Sequence, residues 1–355
     1  MTLEGEFARR RGELLAHCYR MLGSLHDAED AVQETYLRAW RGFARFEDRS
    51  SIRTWLYRIA TNVCLKALTH SSRRLVPAAL GAPGPDPDDL APRTADAGWI
   101  EPFPDPAVVV GARHSLRLAM VAALQHLPPR PRAVLILRDV LAWPAAEVAE
   151  LLETTPAAVN SHLQRARAEL ARRAPTEDEV SEPAEPDRRR LLDRYADAFE
   201  RADLAALERL LTGDVRWEMP PVPTWFAGRA AVLDLLRVKL RPAPGSRLMI
   251  ATKANTQPAF ACYVRGDDGA YRPHQLHVLT LTGPGPGPGA TAGAGAAVKA
   301  VLAFHRPDLF PAFGLPPLLD RPPLLDRPAL PDRPPSLDRP RLLGGVPAAQ
   351  AVIRA

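Results

Sequence analysis

With 355 residues and a net charge of +5, the chain has room for two or three domains and suits an anionic partner. Its three cysteines, Cys18, Cys64 and Cys262, lie far apart with no CxxC pair, which excludes a disulfide framework or a zinc knuckle. It shows neither a signal peptide nor an apolar run long enough for a bilayer, so the expectation is a cytoplasmic protein with no membrane contact. Basic residues gather in 9–74 and 130–173. Residues 81–110 are acidic instead, with Asp86, Asp88, Asp89, Asp96, Glu101 and Asp105 against Arg93.

Residues 6–76 predict helix almost throughout. Apolar positions recur at three and four across Phe7–Leu22, Ala28–Phe43 and Ile52–Leu68, with breaks at Gly23-Ser24 and Phe46–Ser51. Cys18 and Cys64 fall inside these patterns as small core residues. Within DAEDAVQETYLRAW (27–40), Ala28, Val32, Tyr36, Ala39 and Phe43 share a core-facing side. Asp30, Gln33, Glu34, Leu37 and Arg41 form a second, polar stripe holding one exposed leucine, a composition better suited to a protein partner than to water. In residues 53–74, Trp55, Arg58, Asn62 and Lys66 follow one another at three or four. Rings interleaved with cations on one face suit single-stranded DNA, where bases stack and the backbone is held by charge. Taken singly, Trp55 reads more readily as core and the cations as solvated; the constellation is what points to DNA.

Residues 77–106 are rich in Pro, Gly and Asp and predict a linker anchored by Trp99 and Phe103. Helix returns over 107–173 and includes WPAAEVAELLETTPAAVNSHLQRARAEL (143–170), two short helices around a tight turn. Thr155 followed by Pro156 starts the second: a hydroxyl cap, then a proline at a position that needs no N–H. Val159, Leu163, Ala166 and Leu170 form its buried face. Asn160, Ser161, Gln164, Arg165 and Arg167 lie opposite, able to donate to base edges and phosphates as in a helix-turn-helix. A second break, Pro175–Pro186, is rich in Pro and Glu.

From Asp187 the pattern changes. Helices over 187–201 and 203–211 precede the strand-like runs DVRWEM, SRLMIATKA, AFACYVRG, HQLHVLTL and VKAVLAFH, which predicts an α+β domain of mostly antiparallel strands. Residues 283–297, rich in Gly and Ala, read as a flexible hairpin loop. Residues 318–341 repeat an LLDRPP-like hexamer and read as a disordered or extended tail.

DAEDAVQETYLRAWRGFARFEDRSSIRTWLYRIATNVCL followed by the helix-turn-helix resembles the sigma-70 family, in particular the extracytoplasmic-function group of RNA polymerase sigma factors. GWIEPFPD (98–105) resembles the subgroup that adds a C-terminal SnoaL-like domain, and 187–314 is similar to that cone-shaped α+β fold. The resemblance implies a multidomain chain: an all-α region 2 domain over 1–76, an acidic linker over 77–109 and an all-α region 4 domain over 110–174. A short linker (175–186), the SnoaL-like domain (187–316) and the repeat tail (317–355) would follow.

It further implies that Asp27, Asp30, Gln33, Glu34 and Leu37 dock on the β′ clamp helices of core RNA polymerase. The Phe46–Ser51 loop, with Phe46, Asp48 and Arg49, would receive a flipped base of the minus-ten element beside Trp55, Arg58, Asn62 and Lys66. Thr155, Asn160, Ser161, Gln164, Arg165 and Arg167 would contact the minus-35 element, with Arg172 on a phosphate and region 4 held at the β flap. The acidic linker would occupy a basic polymerase channel. Two departures stand out: Pro144 replaces the usual capping Ser or Thr, and Pro156-Ala157-Ala158 replaces a more polar helix start.

In the C-terminal domain Trp217, Met219, Trp225 and Phe226 are candidates to line an apolar pocket, with His277, His274 or Asp214 as polar groups. His274 and His277, at odd spacing in a strand, face opposite ways and do not make a metal pair. No acid–base pair stands out, so the expectation is a non-enzymatic protein without cofactor or metal, whose C-terminal domain modulates activity by sensing a small ligand or packing on the sigma domains. An anti-sigma partner is an open possibility. Two other function classes stay in play: a helix-turn-helix repressor or activator, and a SnoaL-like enzyme fused to a DNA-binding module.

Overall fold

The computed structural model describes residues 2–46, 51–69, 73–91, 98–104, 116–172, 184–240, 244–283 and 295–319. Asp48, Arg49, most of the Gly-rich loop and nearly all of the hexamer repeat lie outside the described residues.

The first three helices are α1 (Leu3–Leu22), α2 (Leu25–Gly42) and α3 (Ile52–Ala67). Each begins at a hydroxyl that takes up an otherwise unpaired amide: Thr2 accepts from Gly5, Ser24 from Asp27 and Ser51 from Thr54. Gly23 ends α1 at φ +72°, a left-handed conformation that returns its amide to the Tyr19 carbonyl at 2.7 Å. After the linker come α4 (Leu118–Gln125), α5 (Pro129–Leu135) running into a π turn (Ile136–Val140), α6 (Ala145–Leu151) and α7 (Pro156–Ala171). Helix α6 follows Pro144 without a side-chain cap, whereas the Thr155 hydroxyl caps α7.

These helices share one core. Arg132 on α5 is buried beneath it and binds carbonyls from two directions: Leu127 at 2.9 Å and Gln125 at 3.0 Å on its own side, Met21 at the end of α1 on the other. Burial lowers its pKa to about 10, still charged at neutral pH, and the carbonyl bonds to both terminal nitrogens offset the cost of burying the charge.

The C-terminal part opens with α8 (Glu185–Arg201) and α9 (Leu204–Leu210), then β1 (Leu211–Met219), β2 (Val222–Ala227), α10 (Arg229–Lys239), β3 (Arg247–Ala254), β4 (Gln257–Arg265), β5 (Tyr271–Thr282) and β6 (Ala297–Phe304). The strands form one sheet in the order β2-β1-β6-β5-β4-β3, parallel only between β1 and β6. Strand β2 is not announced by its sequence, because VPTWFA carries a proline; at a sheet edge the missing amide is tolerated.

Alternation along the strands divides the sheet between two cores. In β4, Phe260 and Cys262 face α8–α10, while Ala259, Ala261 and Tyr263 face the opposite way and join the core of α1–α7. In β5, Leu276 and Val278 join the helical core, Leu279 and Leu281 the other. The outer face of the sheet therefore shares an apolar cluster with the N-terminal helices, and the short helix Pro307–Phe313 packs on it, with Phe310 edge-on to Tyr263 at 5.2 Å.

The β3–β4 hairpin does much of this joining. Asn255 and Thr256 sit at φ +55° and +60°, as a two-residue primed turn requires, and asparagine tolerates that conformation best among non-glycines. Asn255 is fully buried. Its Oδ1 accepts from the Phe103 amide at 2.8 Å, and its Nδ2 donates to the Tyr19 hydroxyl at 2.8 Å and the Leu116 carbonyl at 2.7 Å. Gln257 accepts from the Leu118 amide at 3.0 Å and so caps α4 from another domain.

The described parts of the linker are docked rather than free. Trp99, Ile100 and Phe103 are buried, and Phe103 stacks on Tyr19 at 4.4 Å. Glu101 accepts from Ser24 at 2.9 Å, from the His26 backbone at 3.2 Å and from Arg306 at 2.8 Å, tying α2, the linker and the C-terminal domain together. Burial alone would raise the Glu101 carboxyl, but the hydrogen bonds from His26 and the charge of Arg306 outweigh it and hold it at about 2. One carboxylate of the acidic linker is thus committed inside the molecule rather than open to a basic channel. Among the described residues no helix is long and apolar enough to cross a membrane.

Candidate nucleic-acid interface and ligand cavity

Helix α2 presents Asp30, Gln33 and Leu37 to solvent, with Leu37 42% exposed. Glu34 is half-buried and receives Arg38 at 2.6 Å, a hydrogen bond that lowers its carboxyl. Asp27 stands apart from the stripe, because Arg74 ion-pairs with it. The stripe extends to a residue that the sequence reading missed: Trp40 is 60% exposed. It follows 30, 33 and 37 at the same helical interval, so the spacing held the signal. An exposed tryptophan beside an exposed leucine is a larger apolar feature than either alone.

On α3, Asn62 and Lys66 are exposed, whereas Trp55 is half-buried. Its ring sits 5.0 Å from that of Phe46 and 6.4 Å from Phe43, so the residue at the mouth of the Phe46–Ser51 loop belongs to an aromatic cluster. Trp55 thus joins both readings, packed on one side and open on the other. Arg58 makes an exposed ion pair with Glu150 on α6 at 2.7 Å. Beside that pair Tyr57 meets Trp143 edge-on at 5.5 Å. The α3 face and the helix-turn-helix are in contact.

Helix α7 buries Val159, Leu163 and Ala166 and exposes Asn160, Ser161, Gln164, Arg165 and Arg167. The Thr155 hydroxyl is occupied by its capping bond from Ala158 at 3.2 Å. Arg167 makes two bonds to Asp139 at 2.8 and 2.6 Å, which raise its pKa, and Arg172 pairs with Glu169. Arg165 lies 3.2 Å from the His162 ring. Exposed pairs of this kind contribute only about 0–1 kcal/mol, so a phosphate can displace them.

The C-terminal domain holds a cavity of about 430 Å³ between α8, α10 and the sheet. Trp217 and Met219 line it, but Trp225, Phe226 and His277 do not. Trp225 turns outward and its indole donates to the Gly81 carbonyl at 2.9 Å, while Phe226 is buried in the core. His277 is fully buried behind Phe199 and Trp217, 2.9 Å from the Tyr195 hydroxyl, and burial lowers its pKa to about 3. His274 does line the cavity, its ring 5.3 Å from that of His305, so the two histidines of β5 do sit in different surroundings. Among the described residues no cluster of His, Cys, Asp and Glu is placed to hold a metal ion.

Three family models match: Sigma-70 region 2 over residues 7–74, Sigma-70 region 4 over 117–170 and a SnoaL-like domain over 192–270. The chain is 49% identical over 316 residues to the ECF RNA polymerase sigma factor SigG of Mycobacterium tuberculosis, covering 86% of this chain and 82% of the relative. It is 31% identical over 217 residues to the ECF RNA polymerase sigma factor SigJ of the same species, 59% of this chain and 62% of that one. The crystal structure of the Mycobacterium tuberculosis extracytoplasmic function sigma factor SigJ superimposes with a TM-score of 0.55 at 24% identity, over 88% of this chain and 99% of that one, a likeness of fold.

Proposed function

The chain belongs to the extracytoplasmic-function group of RNA polymerase sigma factors, with sigma-70 regions 2 and 4 followed by a SnoaL-like domain, and from that membership we propose how its residues divide the work. Region 2 (1–76) uses the α2 stripe of Asp30, Gln33, Glu34 and Leu37, extended by Trp40, on the β′ clamp helices of core polymerase. The Phe43–Phe46–Trp55 cluster, with Arg58, Asn62 and Lys66, receives the opened minus-ten strand. Region 4 (110–174) lays α7 in the minus-35 major groove, with Asn160, Ser161 and Gln164 at base edges and Arg165 and Arg167 at phosphates. The observation that carries this reading is the coexistence of an apolar-acidic face on α2, an aromatic-cationic face on α3 and a polar-basic face on α7 in one chain. A repressor needs only the last.

The two DNA faces cannot serve their elements as they now lie. Minus-ten and minus-35 sites are about 25 base pairs apart, roughly 85 Å at 3.4 Å per pair. Here α3 and α6 touch through Arg58 and Glu150. Region 4 must therefore leave region 2 when the chain engages polymerase and promoter. The C-terminal domain (187–316) is then a modulator of that opening rather than a catalyst, since Asn255 and Gln257 bind region 2, the linker and α4 at once.

Run-off transcription with core polymerase and the full-length protein tests the reading. Asn62→Ala should lower promoter opening about tenfold while polymerase affinity holds, and Gln164→Ala should act only on promoters whose minus-35 base it reads. Specific binding to duplex promoter without polymerase, and no transcript with it, would support a repressor instead.

A further inference from the structure

We propose that the C-terminal cavity takes a small apolar molecule bearing one acidic group, and that its occupancy clamps linker residues 81–91 onto the domain. The inference rests on the modulatory reading of that domain, and goes further by naming the ligand chemistry and the segment that responds.

The body of the cavity is apolar: Phe199 from α8, Trp217 and Met219 from β1, Leu235 and Leu240 from α10. Its volume of about 430 Å³ lies in the range of pockets for small organic ligands. The polar part of the lining is one-signed. Lys239 and Arg247 contribute cations and His274 and His305 imidazoles, with no carboxylate among the lining residues. Of the carboxylates next in sequence to lining residues, Glu200 accepts from the Met249 amide at 3.0 Å, Glu218 accepts from the Ala78 amide at 2.9 Å, Asp234 pairs with Arg237, and Asp89 is exposed. Low polarity along the walls, with Lys239 and Arg247 but no carboxylate among the lining residues, favours an amphiphilic anion over a neutral or cationic ligand.

One wall comes from outside the domain. Leu90 and Ala91, from the linker between regions 2 and 4, complete the lining. They are held by a row of contacts along edge strand β2. The Trp225 indole donates to Gly81, the Gly84 amide to the Trp225 carbonyl at 2.7 Å, and the Ala91 amide to the Thr224 hydroxyl at 2.9 Å. The approach at Gly84 is so close that a Cβ there would lie 2.5 Å from the Thr224 methyl, so only glycine fits. A ligand in contact with Leu90 binds the docked linker and not the undocked one. By linkage it must hold residues 81–91 in place, and the docked linker must in turn raise ligand affinity by the same factor.

The test uses full-length protein and decanoate, followed by displacement of 1-anilinonaphthalene-8-sulfonate, with decan-1-ol as the uncharged counterpart. Saturable decanoate binding about tenfold tighter than decanol is expected, with Lys239→Met narrowing that difference. Leu90→Ser should weaken decanoate about fivefold, and bound decanoate should slow hydrogen exchange at the Gly84 and Ala91 amides. Lys239 is exposed, so its variant reports even if the linker variant folds poorly. Absence of saturable binding, equal affinity for acid and alcohol, or unchanged exchange at both amides would each overturn the proposal. Binding with linker protection but no change in run-off transcription would uphold the site and remove the modulatory reading on which it builds.

Discussion

Two histidines are buried without charge, and they make the molecule sensitive to acid. His17 on α1 shares a hydrogen bond with Thr61 at 3.0 Å, and His277 with Tyr195 at 2.9 Å; burial lowers both from 6.5 to about 3. Because the folded values are depressed, the unfolded chain binds more protons below pH 6.5. Stability is therefore full above 6.5 and falls as pH drops toward 3, by about 1.4 kcal/mol per pH unit for each histidine. Denaturant unfolding across that window should show this slope, and His277→Phe should remove about half of it. Asn255 acts at the same scale but across domains, since its one amide satisfies an amide, a hydroxyl and a carbonyl from three separate segments.

At the scale of elements, each interface helix separates its packing face from its working face. On α2, Leu37→Asp or Trp40→Ala should reduce core-polymerase affinity by roughly tenfold or more without changing the melting temperature, because both side chains are exposed. Loss of thermal stability with unchanged affinity would assign that face to folding. On α7, Arg167→Gln should weaken binding to all promoters and reduce the salt dependence by about one counterion, whereas Asn160→Ala should discriminate among minus-35 sequences. The packing faces were legible in the sequence. The helical interval separated Val159, Leu163 and Ala166 from Asn160 and Gln164, because a face buried against a domain must be apolar along its whole length. The strand at Val222–Ala227 was not legible, since its proline argues against a strand wherever the edge position is unknown.

At the scale of the whole molecule, the chain is held closed. Region 4 lies on region 2 through Arg58–Glu150 and Tyr57–Trp143, and the β3–β4 hairpin ties both to the C-terminal domain through Asn255 and Gln257. Glu150→Arg replaces an exposed attraction by repulsion at that contact. It should favour the open form about two- to fivefold, the range expected of a surface pair. A larger radius of gyration in solution and more transcript at limiting core polymerase would register the change; an unaltered transcript yield would mean that opening is not limiting. The ligand site belongs to this scale too, because Leu90 closes a cavity whose other walls lie more than a hundred residues along the chain.

Local properties were decided by the sequence alone: the breaks at Gly23-Ser24 and Phe46–Ser51, the helix start at Thr155, the polar faces of α2 and α7, the order of all-α and α+β parts, and the family likeness carried by 27–66 and 143–170. Such features depend on neighbours three or four positions away, and the sequence contains those neighbours. Other properties required the tertiary structure. Arg58, Asp27 and Arg167 already have ion-pair partners, linker residues 81–91 are docked along β2, and Trp225 and Phe226 lie outside the cavity while Leu90 lines it. Each of these turns on contacts between distant segments, and a one-dimensional pattern cannot state which of two available faces a remote segment will cover.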